Sequence, residues 1–131
     1  MRAPGVHFQA PHAWTVTRAK AKVTAKDGSD YVEVTTFPLV RSYDPSLFGP
    51  VRGELDSRMT TVAGQSSGTV TAHRTVTVAG IKSHAYDVTA GGRVETYTFV
   101  LRGKREYQLL CRRKSSSGDG FCKQLVSSFS I

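Results

Sequence analysis

Two strand-like segments joined by a single turn residue constrain this fold more than any other sequence feature. In residues 69–79, valine, alanine and arginine alternate with threonine and histidine, which is the period of a half-buried strand. Gly80 follows, and Ile81 to Thr89 again contains β-branched and aromatic residues. Strands connected by so short a turn can pair only in the antiparallel direction. We therefore expect the chain to fold around an antiparallel sheet.

Segments closer to the N-terminus predict further strands. Trp14 to Thr17 alternates between apolar and polar residues, as in a strand. Lys20 to Lys26 follows as a polar edge segment, and Tyr31 to Phe37 is rich in β-branched and aromatic residues. Trp14 is expected to anchor the core beside the first strand, or else to form an exposed aromatic platform. Residues 38–46 are predicted to form a loop, because proline at its start disfavours regular pairing.

A basic β-hairpin is predicted between Val94 and Arg112. Its arms would be Val94–Leu101 and Glu106–Arg112, with Gly103 in the tight turn Arg102–Arg105. In a simple register the apolar residues of the two arms would lie on opposite faces. We therefore expect a bulge or a longer loop that brings both sets onto one face. These residues are Tyr97, Phe99 and Leu101 in the first arm and Tyr107, Leu109 and Cys111 in the second.

Two helices are predicted to pack on the sheet. The first has apolar residues at spacings of three and four, namely Phe48, Val51, Leu55, Met59 and Val62. The second, at the C-terminus, has Phe121, Leu125 and Phe129 spaced by four, with Asp119 placed to cap it. No long linker divides the 131 residues. We predict one α+β domain over residues 1–131, an antiparallel sheet of about six strands with helices packed on it.

The two cysteines point to a compartment. Cys111 and Cys122 flank a flexible Ser/Gly-rich segment that lets the two sulfur atoms meet. We expect a disulfide, with two buried free thiols as the alternative. A disulfide indicates an oxidising, extracytoplasmic setting. The four histidines lack the spacing of zinc ligands, and no metal or cofactor is expected.

Basic charge indicates an anionic partner. The net charge is +8, and six cations fall within residues 102–114, relieved only by Glu106. They are Arg102, Lys104, Arg105, Arg112, Arg113 and Lys114. Such charges either bind an anionic protein, surface or polymer, or merely keep a sheet edge from aggregating. No motif of a sequence-specific nucleic-acid reader occurs. No apolar run is long enough for a membrane helix, and an export leader is expected to have been removed.

Candidate catalytic residues are few. His84 and Tyr86 share a strand face, but the adjacent Asp87 points to the opposite face and cannot orient His84 directly. His73 is expected on the exposed face of its strand. The loop that contains Tyr43 and the neighbouring Phe48 are a second candidate for binding, since long loops in compact domains are more often functional than idle.

Several short motifs resemble the PsbP-like superfamily, which includes an extrinsic photosystem II protein, a Ran-binding import factor and LpqN-type actinobacterial lipoproteins. They are Phe8-x-x-Pro11-x-x-Trp14-x-Val16, Val78-Ala79-Gly80 with Ala85-Tyr86, Tyr97-Thr98-Phe99-Val100-Leu101, Tyr107-Gln108-Leu109, and Phe121-x-x-x-Leu125-Val126-x-x-Phe129. The chain is most similar to the LpqN type. The resemblance implies an α/β/α sandwich that binds partners and has no catalytic residues.

These observations lead to one principal expectation and two alternatives. We expect a monomeric, non-catalytic extracytoplasmic binding or accessory module, in full length a lipoprotein domain, that engages an anionic partner through its basic surface. One alternative is a carrier of a small apolar ligand in a pocket between the central helix and the sheet. The other is a small cone-shaped α+β enzyme with a His–Asp pair inside a cavity.

Overall fold

A computed structural model of the chain describes residues 2–3, 6–9, 15–19, 22–28, 30–114 and 118–131. Its strands are β1 (Arg2–Ala3), β2 (Val6–His7), β3 (Thr15–Ala19), β4 (Lys22–Asp27), β5 (Asp30–Tyr43), β6 (Thr69–Val78), β7 (Ile81–Ala90) and β8 (Arg93–Lys114). A 3-10 turn at Pro45–Leu47 leads into helix α1 (Phe48–Gln65), and helix α2 is Gly120–Ser128. Trp14 lies outside the described residues.

The predicted antiparallel sheet is confirmed. Six of the strands pair in the order β3-β4-β5-β8-β7-β6, and each neighbouring pair is antiparallel. The remaining strands, β1 and β2, pair with each other. None of the described helices is both long and apolar enough to cross a bilayer.

The two helices cover opposite faces of the sheet, so the domain has two cores. The α1 core consists of Leu55, Met59, Ala63, Tyr86, Val88, Tyr97, Phe99 and Leu110. The α2 core consists of Phe8, Val23, Ala25, Val32, Val34, Val78, Val100, Tyr107, Leu109, Cys111, Leu125 and Phe129. The predicted helix face is confirmed, because Leu55 and Met59 are buried while Val51 and Val62 pack at its edge.

The predicted loop after Pro38 is instead the end of a long strand. β5 continues to Tyr43. Its pairing with β8 is regular up to Pro38, which faces Arg105, and resumes where Tyr43 faces Gly103. Five steps along β5 therefore match two along β8, leaving three extra residues in β5. Proline has no N–H to donate, which explains why the regular ladder ends at Pro38.

The predicted hairpin is confirmed within β8, whose 22 residues fold back on themselves. Arg112 lies 3.9 Å from the Glu95 carboxylate, and Arg58 contacts both Phe99 and Glu106, so the two arms lie side by side. β8 pairs with β7 up to Phe99 and with β5 from Gly103 onward. Tyr97 and Phe99 belong to the α1 core, whereas Tyr107 and Leu109 belong to the α2 core. The two arms turn at Gly103, whose φ of +57° suits a tight hairpin turn. The apolar residues of the two arms therefore lie on opposite faces, each set in its own core, and the expected bulge or longer loop that would bring them onto one face is wrong.

The predicted disulfide is confirmed. Cys111 near the end of β8 is bonded to Cys122 in the first turn of α2. Asp119 occupies the N-cap position of α2, as predicted, but its side chain makes no capping hydrogen bond. The Asp119 carboxylate instead lies 3.6 Å from Nζ of Lys123. The disulfide thus fastens α2 to the central strand of the sheet.

Candidate binding surface

Three of the six predicted cations lie together at one end of the sheet. Arg102, Lys104 and Arg105 are exposed, at the turn between the arm of β8 that pairs with β7 and the arm that pairs with β5. Within the described part of the chain, none of them has a carboxylate in ion-pair range. Glu106 is the one acidic residue between these cations and Arg112. It is buried and accepts a hydrogen bond from Arg58 at 2.8 Å. The positive charge of this group is therefore not neutralised locally.

A fourth cation joins this group from the neighbouring strand. Arg41 is exposed and belongs to the extra residues of β5 that lie opposite residues 103–105. Apolar side chains accompany it: Val40 is 98% exposed and Phe37 is 40% exposed. We call Arg41, Arg102, Lys104 and Arg105 the cationic end. Sequence reasoning missed Arg41 because it lay in the predicted loop, where nothing indicated pairing with β8.

The other three predicted cations lie about ten residues further along β8, a rise of roughly 30 Å in a regular strand. Arg112 stacks over the Tyr31 ring at 5.0 Å and lies 3.9 Å from the Glu95 carboxylate. Arg113 is half-buried and lines a cleft beside α2, whereas Lys114 is exposed. The six cations therefore form two separate groups, and the second is partly engaged within the domain.

The second predicted binding element lies next to the cationic end. Tyr43 and Phe48 line an open cleft of about 540 Å³ together with Lys82 and Arg102. Burial, reinforced by the Asp44 carboxylate, raises the pKa of Tyr43, so its hydroxyl stays protonated and can donate a hydrogen bond. No sequence signal pointed to Lys82, which reaches the cleft from β7.

A histidine pair lies on the α1 face of the sheet. His84 is buried, and its Nδ1 lies 2.9 Å from Nε2 of His73. The expectation that His73 is exposed is wrong, because the side chain is half-buried. A register shift between Val70 and Ala72 changes which residues of β6 face α1. Burial, followed by the positive charge of Arg52, lowers the pKa of His73.

Tyr86 extends this polar group toward helix α1. Its hydroxyl donates to Asp56 Oδ1 at 2.6 Å, and its ring lies 4.8 Å from that of His73. Burial, followed by the Asp56 hydrogen bond, raises the pKa of Tyr86. Asp56 therefore accepts from a tyrosine that stays protonated, and this hydrogen bond joins α1 to the sheet.

Asp87 lies on the opposite face, as predicted. Its carboxylate accepts two hydrogen bonds from Arg74, at 2.8 and 3.2 Å, and one from Thr96 at 2.8 Å. It does not orient His84, whose partners are His73 and the Phe48 carbonyl. His84 and Asp87 are therefore not paired with each other. Among the described residues, no group of three histidine, cysteine or carboxylate side chains could hold a metal ion.

Open space lies beside α2 rather than under α1. The α1 core fills the interface where a carrier pocket was expected, with Leu55, Met59 and Phe99 each at most 1% exposed. An open cleft of about 550 Å³ instead lies beside α2 and is lined by residues of α2 and of the sheet. Its floor is apolar, with Val76, Leu109 and Val126, and its rim bears Arg113 and Lys123.

Comparison with known proteins identifies the fold. No family model matches the sequence. No curated protein matches it either. A crystal structure from Bacteroides thetaiotaomicron VPI-5482 aligns at 8% identity and TM-score 0.56, over 97% of this chain and 45% of that one, so this chain spans less than half of that protein. Cyanobacterial PsbP (CyanoP) from Synechocystis sp. PCC 6803 aligns at 14% identity and TM-score 0.72, over 97% of this chain and 86% of that one. The domain therefore has a PsbP-like fold, as the sequence resemblance implied, while the closer similarity to LpqN-type lipoproteins stays a prediction.

Proposed function

We propose that this domain is a non-catalytic binding module that engages an anionic partner through its cationic end. The observation that supports the proposal most directly is the exposure of Arg102, Lys104 and Arg105 without acidic partners in the described chain. Unpaired cations at a projecting end of a sheet create a positive potential that attracts anions. The PsbP-like fold is compatible with an accessory role of this kind.

The partner is expected to be an anionic protein, surface or polymer outside the cytoplasm. The disulfide between Cys111 and Cys122 supports this compartment, since disulfides persist in oxidising environments. Val40 and Phe37 add exposed apolar area beside the cations. A partner that combines negative charge with an apolar contact would use both features of this end. Anchoring of the full-length protein as a lipoprotein belongs to the same proposal.

Salt-dependent binding to a model polyanion tests this function. Heparin and vesicles containing anionic lipid serve as probes, and the variant is Arg102→Ala/Lys104→Ala/Arg105→Ala. The parent should bind at low salt and lose affinity as salt rises, because the Debye length shortens from about 10 Å at 0.1 M to about 3 Å at 1 M. The variant should bind less while keeping the parental melting temperature, since all three side chains are exposed.

A second triple variant separates a local site from net charge. Lys26→Ala/Lys114→Ala/Lys123→Ala removes the same number of positive charges, three, from exposed positions elsewhere. It should bind heparin nearly as well as the parent. If the two triple variants lose equal affinity, binding follows net charge and the cationic end has no special role. If the first variant binds both probes at low salt as well as the parent does, the proposed function is contradicted. Arg102, Lys104 and Arg105 are then only solvated charges at a sheet edge.

A further inference from the structure

The cleft beside the cationic end combines apolar walls with unneutralised positive charge. It lies between the start of α1, the turn from β6 to β7, and the middle of β8, and its volume is about 540 Å³. That volume lies in the range of small-molecule sites, roughly 300–1,000 Å³. Its walls include Tyr43, Phe48, Ile81 and Leu101, and its cations are Lys82 and Arg102.

The aromatic wall is held in place from behind. The Phe48 ring stacks on the His84 imidazole at 3.9 Å and 10°, and the Phe48 carbonyl oxygen lies 2.7 Å from His84 Nε2. His84 is itself buried in the sheet. A ring fixed by stacking and by a hydrogen bond to its own backbone loses little freedom when a ligand packs on it, which favours binding.

The charge in the cleft also favours an anion. Nζ of Lys82 lies 4.5 Å from the centroid of the Phe48 ring. In the described chain neither Lys82 nor Arg102 has an acidic partner, and no acid lines the cleft. The nearest acid in sequence, Asp44, caps the 3-10 turn by accepting from the backbone N–H of Ser46 at 2.8 Å. A negative ligand therefore meets two cations and no fixed carboxylate in the cleft wall.

We propose that this cleft binds a small organic anion with a flat apolar body. The body packs between Phe48, Ile81 and Leu101, and its carboxylate or sulfonate group meets Lys82 and Arg102. Tyr43 offers a further hydrogen bond through its hydroxyl. This site goes beyond the proposed recognition of an anionic partner, with which it shares only Arg102.

A pair of fluorescent probes tests the proposal. Anilinonaphthalene sulfonate has a naphthyl body with one negative charge, and N-phenylnaphthylamine has nearly the same body without the charge. The parent should bind the sulfonate with saturation at one site and bind the uncharged amine more weakly. Lys82→Gln should weaken sulfonate binding about three- to fivefold, the size expected for a partly exposed ion pair. It should leave binding of the amine unchanged.

Controls separate the cleft from net charge and from the cationic end. Lys26→Gln removes one exposed charge elsewhere and should bind the sulfonate as the parent does. Lys104→Gln/Arg105→Gln should weaken heparin binding and leave sulfonate binding intact. These outcomes keep failure of the cleft proposal distinct from failure of the proposed function. Equal sulfonate affinity of Lys82→Gln and the parent would overturn the cleft proposal.

Amide NMR shifts give an independent readout of location. Sulfonate titration should shift residues of this cleft, such as Ile81, Lys82 and Leu101. The cleft beside α2, where Lys123 and Val126 lie, should remain unperturbed. Shifts confined to the α2 cleft would contradict the proposal, whatever the affinities show. Unchanged near-ultraviolet circular dichroism of each variant confirms that the sulfonate is not reporting a loosened fold.

Discussion

The His84 imidazole is fastened twice to Phe48, by ring stacking at 3.9 Å and by its Nε2, which lies 2.7 Å from the Phe48 carbonyl oxygen. A carbonyl oxygen can only accept, so Nε2 of His84 carries the proton. In neutral His84, Nδ1 then accepts from Nε2–H of His73, 2.9 Å away. One chain of hydrogen bonds therefore runs from the start of α1 through β7 to β6.

The position of His73 predicts a loss of stability in mild acid. Burial is the main reason that the pKa of His73 lies below its ordinary value of 6.5. Because the folded pKa is lower than the unfolded one, the unfolded state binds the proton more readily. This contribution to stability is complete above about pH 6.5 and is lost as the pH falls below it.

Urea unfolding at about pH 7.5 and about pH 5.5 measures this effect. The parent should lose more stability between the two values than the variant His73→Gln. The charged and titratable groups around His73 stay the same in both proteins: Arg52 and Asp56 on α1, His84 and Tyr86 on β7, and Arg74 on β6. An NMR titration of His73 with a midpoint at or above 6.5 would contradict the prediction.

Leu55 is expected to be a principal anchor of α1. Its side chain is 1% exposed and packs in the α1 core. Leu55→Ala should lower the free energy of unfolding by about 2–5 kcal/mol, because it removes buried methyl groups and leaves a cavity. Val40→Ala is the control, since Val40 is 98% exposed and its truncation should change stability by less than about 0.5 kcal/mol. A loss below about 0.5 kcal/mol for Leu55→Ala would mean that this helix face is not packed on the sheet.

The disulfide is expected to contribute substantially to stability. It closes a loop between residues 111 and 122, which are eleven positions apart. A loop of that length corresponds to about 2–3 kcal/mol from restriction of the unfolded chain. The double variant Cys111→Ala/Cys122→Ala should unfold at correspondingly lower urea concentration. Recovery of two alkylatable thiols from unreduced protein would show that the bond is absent.

Glu106 and Arg58 form an ion pair that should matter more than those on the helix surface. The Glu106 carboxylate is buried, and Arg58 Nη1 donates to it at 2.8 Å. Arg58→Met should cost about 1–3 kcal/mol, because it leaves a buried charge without its partner. Arg58 also lies 3.7 Å from Glu54, whose side chain is 72% exposed. Glu54→Gln should therefore change the free energy of unfolding by less than about 0.5 kcal/mol.

The sequence predicted an element correctly where all of its apolar residues lie on one face and pack in the same core. α1 is the clear case, because Leu55 and Met59 recur at a helical spacing and pack against one face of the sheet. The disulfide could also be predicted from the sequence, because Cys111 and Cys122 are close in sequence and joined by a flexible segment. Both inferences depend on short-range geometry alone.

The failures lie where the facing of a strand depends on distant parts of the chain. The hairpin itself was predicted correctly, but the bulge expected to bring its apolar residues onto one face was wrong, because Phe99 packs in the α1 core and Leu109 in the α2 core. His73 was misplaced because the shift after Val70 reverses the facing of β6. Long-range packing decides both outcomes, and no alternation in one segment reports it. Arg41 and Lys82 were missed for the same reason.

Opposite effects of one substitution at two glycines test the turn at the centre of β8. Gly53 lies within α1, and a Cβ added there would meet nothing within 4 Å. Gly53→Ala should stabilise the protein by about 0.5–1 kcal/mol, since glycine is a poor helix former. Gly103 also has open space around a Cβ, but its φ is +57°. Gly103→Ala should therefore destabilise by about 1–2 kcal/mol through the backbone alone.

Gly103 also sets the direction of its charged neighbours. A change of its φ would turn Arg102 relative to Lys104, so Gly103→Val should weaken heparin binding as well as stability. Gly103→Asn should keep more of both, because asparagine tolerates the left-handed conformation better than other residues with side chains. Urea unfolding and heparin affinity of the three Gly103 variants, set beside Gly53→Ala, measure these effects. If Gly103→Ala and Gly53→Ala both stabilise the protein, then β8 does not contain a left-handed residue at position 103, and its two halves must be connected differently.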